Sequence, residues 1–184
     1  MCRLLLAMVA FLWAAPGLTA APRVPAPPSE SLPGMQSTTR PLSSATLIAE
    51  AVDHAGLRRN LGRAGYVAGS EREFHGRTPV FNHVTERVLR FESRSGAGRY
   101  LRWLRAHTKD SLGAPRSVTP TDLGKNGFVY RPRGCGCHSE TPTYLIAWQQ
   151  GRLTLTVLAS GDGATAESAS RLARAFAHPP ERRT

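Results

Sequence analysis

The sequence predicts an α+β domain, a mainly antiparallel sheet of about five strands with helices packed on it, in the order α-β-β-α-β-β-β-α. Three observations predict it. Residues 153–157 alternate strictly between apolar and polar positions, and with the apolar run 144–148 they flank the tight connection at Gln150-Gly151, which is the pattern of a β-hairpin. Apolar residues at helical spacing bracket the domain, with Leu47, Ile48, Ala51 and Val52 at one end and Ala169, Leu172, Ala173 and Phe176 at the other. Hydrophobic residues make up 41% of the chain, enough for the stretch beyond residue 42 to bury a core.

The first helix is expected to open at Ser43 or Ser44, to be interrupted at Gly56, and to end at Gly62 or Gly65. Two strands follow, over residues 66–74 and 80–92. In the second, Val84 and Val88 share one face while Leu89 and Phe91 share the other, so it is bulged or buried on both sides. Ser95 opens a second helix carrying Ala97, Tyr100, Leu101 and Leu104. Residues 111–126 show two prolines and no periodicity, and read as loop. Residues 127–130 form a short strand, the hairpin follows, and a last helix stops at Pro179 and Pro180, with Asp162 as its candidate cap.

The N-terminus predicts export. Arg3 precedes an apolar run from Leu4 to Trp13, Pro16-Gly17 breaks it, and Ala20 offers a small residue for cleavage. Cutting after Ala21 would leave Pro22 just beyond the bond, so cleavage after Ala20 is expected. The run is short for a membrane span, and Cys2 precedes it, too early for a lipoprotein cysteine. Residues 1–20 are therefore read as a signal peptide and residues 21–42, rich in Pro, Ser and Thr, as a disordered leader. A single domain over 43–178 and a tail over 179–184 complete the chain. The expected location is secreted or extracytoplasmic, at the cell envelope.

The formal net charge is +11, almost all of it arginine, since Lys109 and Lys125 are the only lysines. A surface of that sign attracts nucleic acid, anionic lipid or acidic envelope polymer. The densest basic stretch, Arg99, Arg102 and Arg105, is the candidate polyanion-binding set.

Gly65-Tyr-Val-Ala-Gly followed by Arg72-Glu-Phe74, then Val88-Leu-Arg-Phe91, Gly96-Ala97 and Ala147-Trp-Gln-Gln-Gly-Arg152, resembles a group of small secreted bacterial α+β domains. Their architecture is similar to that of PsbP-like and LpqN-like extracytoplasmic proteins. The resemblance covers roughly residues 43–178 and rests on packing and turn positions. It implies a fold and an extracytoplasmic setting, and no activity. The chain lacks the lipobox of the lipoproteins, so lipid anchoring is not implied.

The chemically pointed motif is Cys135-Gly136-Cys137-His138. With Cys2 removed, two cysteines remain for an oxidising compartment, and Gly136 relaxes the turn that an i,i+2 disulfide requires. Loop entropy for so small a ring is only about 1.6 kcal/mol, against about 3 kcal/mol for a fifteen-residue loop. A Cys135–Cys137 bridge therefore shapes its own loop more than it stabilises the domain. Three alternatives stay open: thiol exchange aided by His138, a Cu or Zn site on Cys135, Cys137 and His138 with His75 and His83 as candidate further ligands, and intermolecular pairing.

No catalytic residues are assigned, since the sequence holds no zinc-protease, nucleophile-elbow or phosphate-loop motif. Glu71, Glu73, Glu86 and Glu92 alternate with Arg72, Arg87 and Arg90 and read as cross-strand ion pairs on a solvated face. Trp103 and Trp148 read as core or interface residues, and His54, His107 and His178 as surface residues. The function expected first is a non-enzymatic binding or interaction domain for a protein, lipid or envelope component. The Cys-Gly-Cys-His thiol or metal protein and the arginine polyanion binder are the alternatives. An apolar pocket between sheet and helices would favour a small lipophilic ligand.

Overall fold

The computed structural model describes residues 32, 34–133 and 141–177. In chain order they form β1 (Met35–Leu42), α1 (Ser44–Ala49), α2 (His54–Ala64), β2 (Tyr66–Gly76), β3 (His83–Phe91), α3 (Arg94–Leu112) and β4 (Pro115–Pro120). β5 (Lys125–Pro132), β6 (Thr143–Gln150), β7 (Leu153–Ser160) and α4 (Ala166–Ala177) follow. One antiparallel sheet runs in the order β1-β2-β3-β7-β6-β5-β4.

The strand count and element order correct the sequence expectation: among the described residues there are seven strands, not about five, and four helices, not three. Both additional strands lie at the sheet edges. β1 lies within the stretch read as leader. Seven of its eight residues are at least partly exposed, so it shows no apolar alternation, and an edge position tolerates Pro41. β4 lies in the stretch read as loop, with Pro115 and Pro120 at its ends and only Val118 turned partly inward. The first helix is two helices. Asp53 Oδ1 accepts from Gly56 N at 2.8 Å and caps α2, so the chain turns between Glu50 and Asp53 and α2 starts afresh. Gly56 therefore lies inside a helix instead of breaking one, and a Cβ there would meet Asp53 Oδ2 at 1.8 Å. Gly65 ends α2 in the left-handed region at φ 66°.

The helices cover opposite faces of the sheet. α4 packs Ala169, Leu172, Ala173 and Phe176 against Val157, Ile146 and Trp148, with Phe176 stacked on Phe74 at 5.9 Å. Thr165, not Asp162, caps α4: its Oγ1 accepts from Ser168 N at 3.0 Å, while Asp162 lies exposed near Arg77. On the other face, α1, α2 and α3 bury Leu47, Leu57, Leu61 and Ala97 against Leu89 and Phe91. α3 also covers Phe128, Tyr130 and Leu145 through Leu101. β3 is buried on both sides, which explains why its apolar residues fall on both faces.

α2 and α3 approach most closely where their ends meet. A Cβ on Gly96 would lie 2.0 Å from Ala64 O, so only glycine lets the start of α3 reach the end of α2. Ser93 Oγ, accepting from Gly96 N at 3.0 Å, starts α3 at that point. Farther along α3 the helical layer no longer seals the sheet.

Candidate functional site

A cleft of about 420 Å³ opens there, running along α3 from Tyr100 to Leu112. Its floor is β3 and β7, through Thr85, Arg87, Leu89, Thr156 and Leu158. α3 forms one wall through Trp103, Leu104, His107 and Thr108, and the α1–α2 corner forms the other through Leu47, Glu50, Ala51 and Leu57. The volume lies in the range of small-molecule sites. Leucines and Trp103 make most of its surface apolar.

A ring of four charged side chains borders the cleft, and two of them, Glu50 and Arg87, line it. Glu71 on β2 is completely buried and accepts from Arg40 Nε of β1 at 2.6 Å and from Arg87 Nε of β3. Glu50, capping the end of α1, accepts from Arg40 Nη2 at 2.7 Å and from Arg87 Nη2 at 2.9 Å. Each arginine thus bridges both carboxylates, and the ring is charge-neutral. The hydrogen bonds to Glu71 and then Glu50 raise the Arg40 pKa above its ordinary value. The ring ties α1 to three strands and so fixes one wall of the cleft.

The cleft's polar end holds Glu73, His83, Thr85, His107 and Thr108. His83 Nε2 and Thr85 Oγ1 are 2.9 Å apart, Glu73 Oε2 is 3.3 Å from His75 Nε2, and His107 Nδ1 is 2.8 Å from Trp103 O. Thr108 donates to Leu104 O at 2.7 Å. Burial pushes the Tyr100 hydroxyl up to about 12, so it lines the cleft as a neutral group. An imidazole beside a hydroxyl is the start of a nucleophilic pair. Yet Glu73, the nearest carboxylate, contacts His75 and not His83, so the base lacks its orienting partner among the described residues.

The residues predicted from sequence are distributed differently. Cys135, Cys137 and His138 lie outside the described residues. His75 and His83 are register partners on β2 and β3, with ring centroids 5.2 Å apart. Among the described residues no group of three or more His, Cys, Asp or Glu side chains could hold a metal ion. Arg99, Arg102 and Arg105 do not converge. Arg99 faces α2, whereas Arg102 lies near Gln149 and Arg105 stands over the Phe128 ring at 5.9 Å.

The alternating glutamates correct the expectation of a solvated ion-paired face. Glu71 does pair with Arg87 across the strands, but in a buried position. Glu86, on the opposite face, is fully buried, and neither of its carboxyl oxygens has a hydrogen-bond partner among the described residues. Burial raises its pKa to about 8, opposed by the charge of Arg72. His107 is half-buried and lines the cleft, contrary to the surface reading, and Trp103 forms a wall between two grooves. Alternation along a strand identifies the face of Glu71, but nothing local in sequence links it to Arg40 or Glu50.

No family model matches the sequence, and no curated protein matches it. Among solved structures, the fold is similar to the extracellular domain of PknH from Mycobacterium tuberculosis. Identity is 12%, the match covers 78% of this chain and 83% of that one, and the TM-score is 0.51. At this identity the likeness is one of fold. The resemblance to PsbP-like and LpqN-like proteins rests on the sequence motifs alone. No described helix is long and apolar enough to cross a membrane.

Proposed function

We propose that this chain is an extracytoplasmic binding domain whose ligand is a small amphipathic molecule held in the cleft between α3 and the sheet. The observation that carries this reading is the cleft itself: apolar walls, a volume of about 420 Å³, and hydroxyl and imidazole groups gathered at one end. An apolar body is desolvated against Leu89, Leu104 and Leu158 while a polar head meets Thr85, Thr108 and His83. The charge-neutral arginine–glutamate ring keeps the adjoining wall from selecting a strongly charged ligand. The signal peptide ending at Ala20 and the fold shared with an extracellular domain support the location. In that setting Cys135 and Cys137 are paired with each other, and an intact mass two hydrogens below the reduced value checks the bridge.

Trp103 in the wall provides the test. Titrating the exported protein with an uncharged single-chain amphiphile should change Trp103 emission saturably. Thr156→Trp, which fills the floor, should weaken that response at least tenfold while leaving the fold intact. An unsaturable response, or one that Thr156→Trp leaves unchanged, rejects the cleft as the site.

A further inference from the structure

The net positive charge of the chain is not spread evenly. α2 and α3 together carry eight arginine and lysine residues against one acidic residue, Asp110, so these two helices hold +7 of the total of +11. Their inner faces bury the core and their outer faces are open to solvent. A groove of about 350 Å³ runs between them, lined by Arg59 and Arg63 of α2 and Arg99 of α3. All three arginines are exposed, and none has an ion pair or hydrogen bond among the described residues. Arg40, Arg87, Arg171 and Arg174 each meet a carboxylate within 3.1 Å, whereas Arg116, Arg133 and Arg152 share with the groove set an exposed position and no ion pair among the described residues. Asn60, on the same groove, has its Oδ1 buried without a partner. The three arginines share the groove with one carboxylate, Asp53, which caps α2, so a net positive charge is left that a bound anion would relieve, while the buried Asn60 Oδ1 calls for a donor such as a headgroup hydroxyl.

We propose that the outer face of α2 and α3 docks on an anionic membrane surface, with Arg59, Arg63 and Arg99 seating a lipid phosphate in the groove between the helices. The charge covers two helices lying side by side on a sheet, which presents a broad face and not a single line. Arg102 and Arg105 extend it to the far flank of α3. Arginine suits the task because its planar fork meets phosphate oxygens two at a time. A single strand of nucleic acid would need open aromatic platforms. Here Tyr100 is buried, and Trp103 stacks on His107 with centroids 4.4 Å apart and planes 13° apart. Val52, 67% exposed and adjacent to Asp53 at the end of the groove, is a large apolar side chain positioned to touch the headgroup layer. This inference is independent of the cleft and its ligand.

The experiment is vesicle co-sedimentation of the exported protein. Vesicles of phosphatidylcholine are compared with vesicles in which about one lipid in three is phosphatidylglycerol. Binding to the anionic vesicles alone, weakening as salt is raised, is expected. R59Q/R63Q/R99Q should lose affinity on the order of a hundredfold, at about fivefold per arginine near the surface. R116Q/R133Q/R152Q removes the same charge at exposed sites elsewhere and should lose less than about tenfold. The groove arginines have no partners among the described residues, so their replacement leaves the fold intact, and single R99Q, at about fivefold, provides a milder check. Equal losses in the two triple variants would reduce the effect to net charge and overturn the proposal. So would equal binding to phosphatidylcholine, or displacement from the vesicles by an equal phosphate concentration of soluble DNA or polyphosphate.

Discussion

Replacing Glu71 with alanine removes the centre of the four-residue charge ring. The carboxylate is completely buried, and it accepts a hydrogen bond from each of Arg40 and Arg87. Hydrogen bonds to charged groups contribute about 1.5–3 kcal/mol each, and stranding a buried charge costs about 3–5 kcal/mol. Here the stranded arginines are 48% and 35% exposed and retain Glu50, so water recovers part of the loss. The lower end applies, about 3 kcal/mol, or a fall in Tm of about 10 °C for a domain of this size. Glu71→Gln keeps one acceptor oxygen without the charge and should fall between, near 2 kcal/mol. Arg40→Ala, removing the more exposed partner, should cost about 1 kcal/mol. Urea unfolding monitored by tryptophan emission reads all three, with the midpoint moving and the slope m unchanged. Because the ring ties α1 to the sheet, Trp103 emission should also shift to the red in the folded Glu71→Ala protein. A loss below about 1 kcal/mol for Glu71→Ala would refute the reasoning, since the ring would then be solvated.

Two further predictions concern the opposite face and the helix crossing. Glu86 has a folded pKa of about 8 against an ordinary 4.5, so between those values the folded protein binds the extra proton. Stability from this group is therefore fully present below about pH 4.5 and is lost as pH rises toward 8, by up to about 1.4 kcal/mol per pH unit. Glu86→Gln should remove that slope and leave the protein more stable than its parent at pH 8; parallel pH profiles by urea titration would contradict it. Gly96→Ala should cost at least about 2 kcal/mol, because its Cβ meets the Ala64 backbone at 2.0 Å and the helix ends must separate. Gly62→Ala, with nothing within 4 Å, should be neutral or stabilising in the same thermal melt.

The elements legible in the sequence are those with dense or periodic apolar residues. In the β6–β7 hairpin residues 144–149 are all buried, Tyr144, Ile146 and Trp148 in the core under α4 and Leu145 and Ala147 in that under α3, and Gly151 takes φ 60° at the turn. α4 buries the four residues that its spacing marks. β1 and β4 were not legible because edge strands bury little, and because prolines tolerated at an edge read as leader or loop. The break before α2 had a signal, the Asp53 cap three residues ahead of Gly56, but the apolar spacing of Val52 and Ala55 runs across it; Val52 is in fact exposed. The cleft was legible only as a conditional. Its lining comes from seven elements, and the ring that sets one wall joins Arg40 to Glu71 and Arg87 through backbone pairing. Arginine clustering along α3 suggested Arg99, Arg102 and Arg105, whereas the groove assembles Arg99 with two residues from α2. Helix–helix packing decides that grouping, and linear spacing does not show it.

The most direct test of the central claim is native mass spectrometry of the protein taken from the exported fraction, followed by denaturation in the same instrument. The account predicts a native mass carrying an adduct of one small amphipathic molecule, released on denaturation and absent from Thr156→Trp. A native mass equal to the chain alone, in a protein that also fails to take up an added uncharged amphiphile, would contradict it.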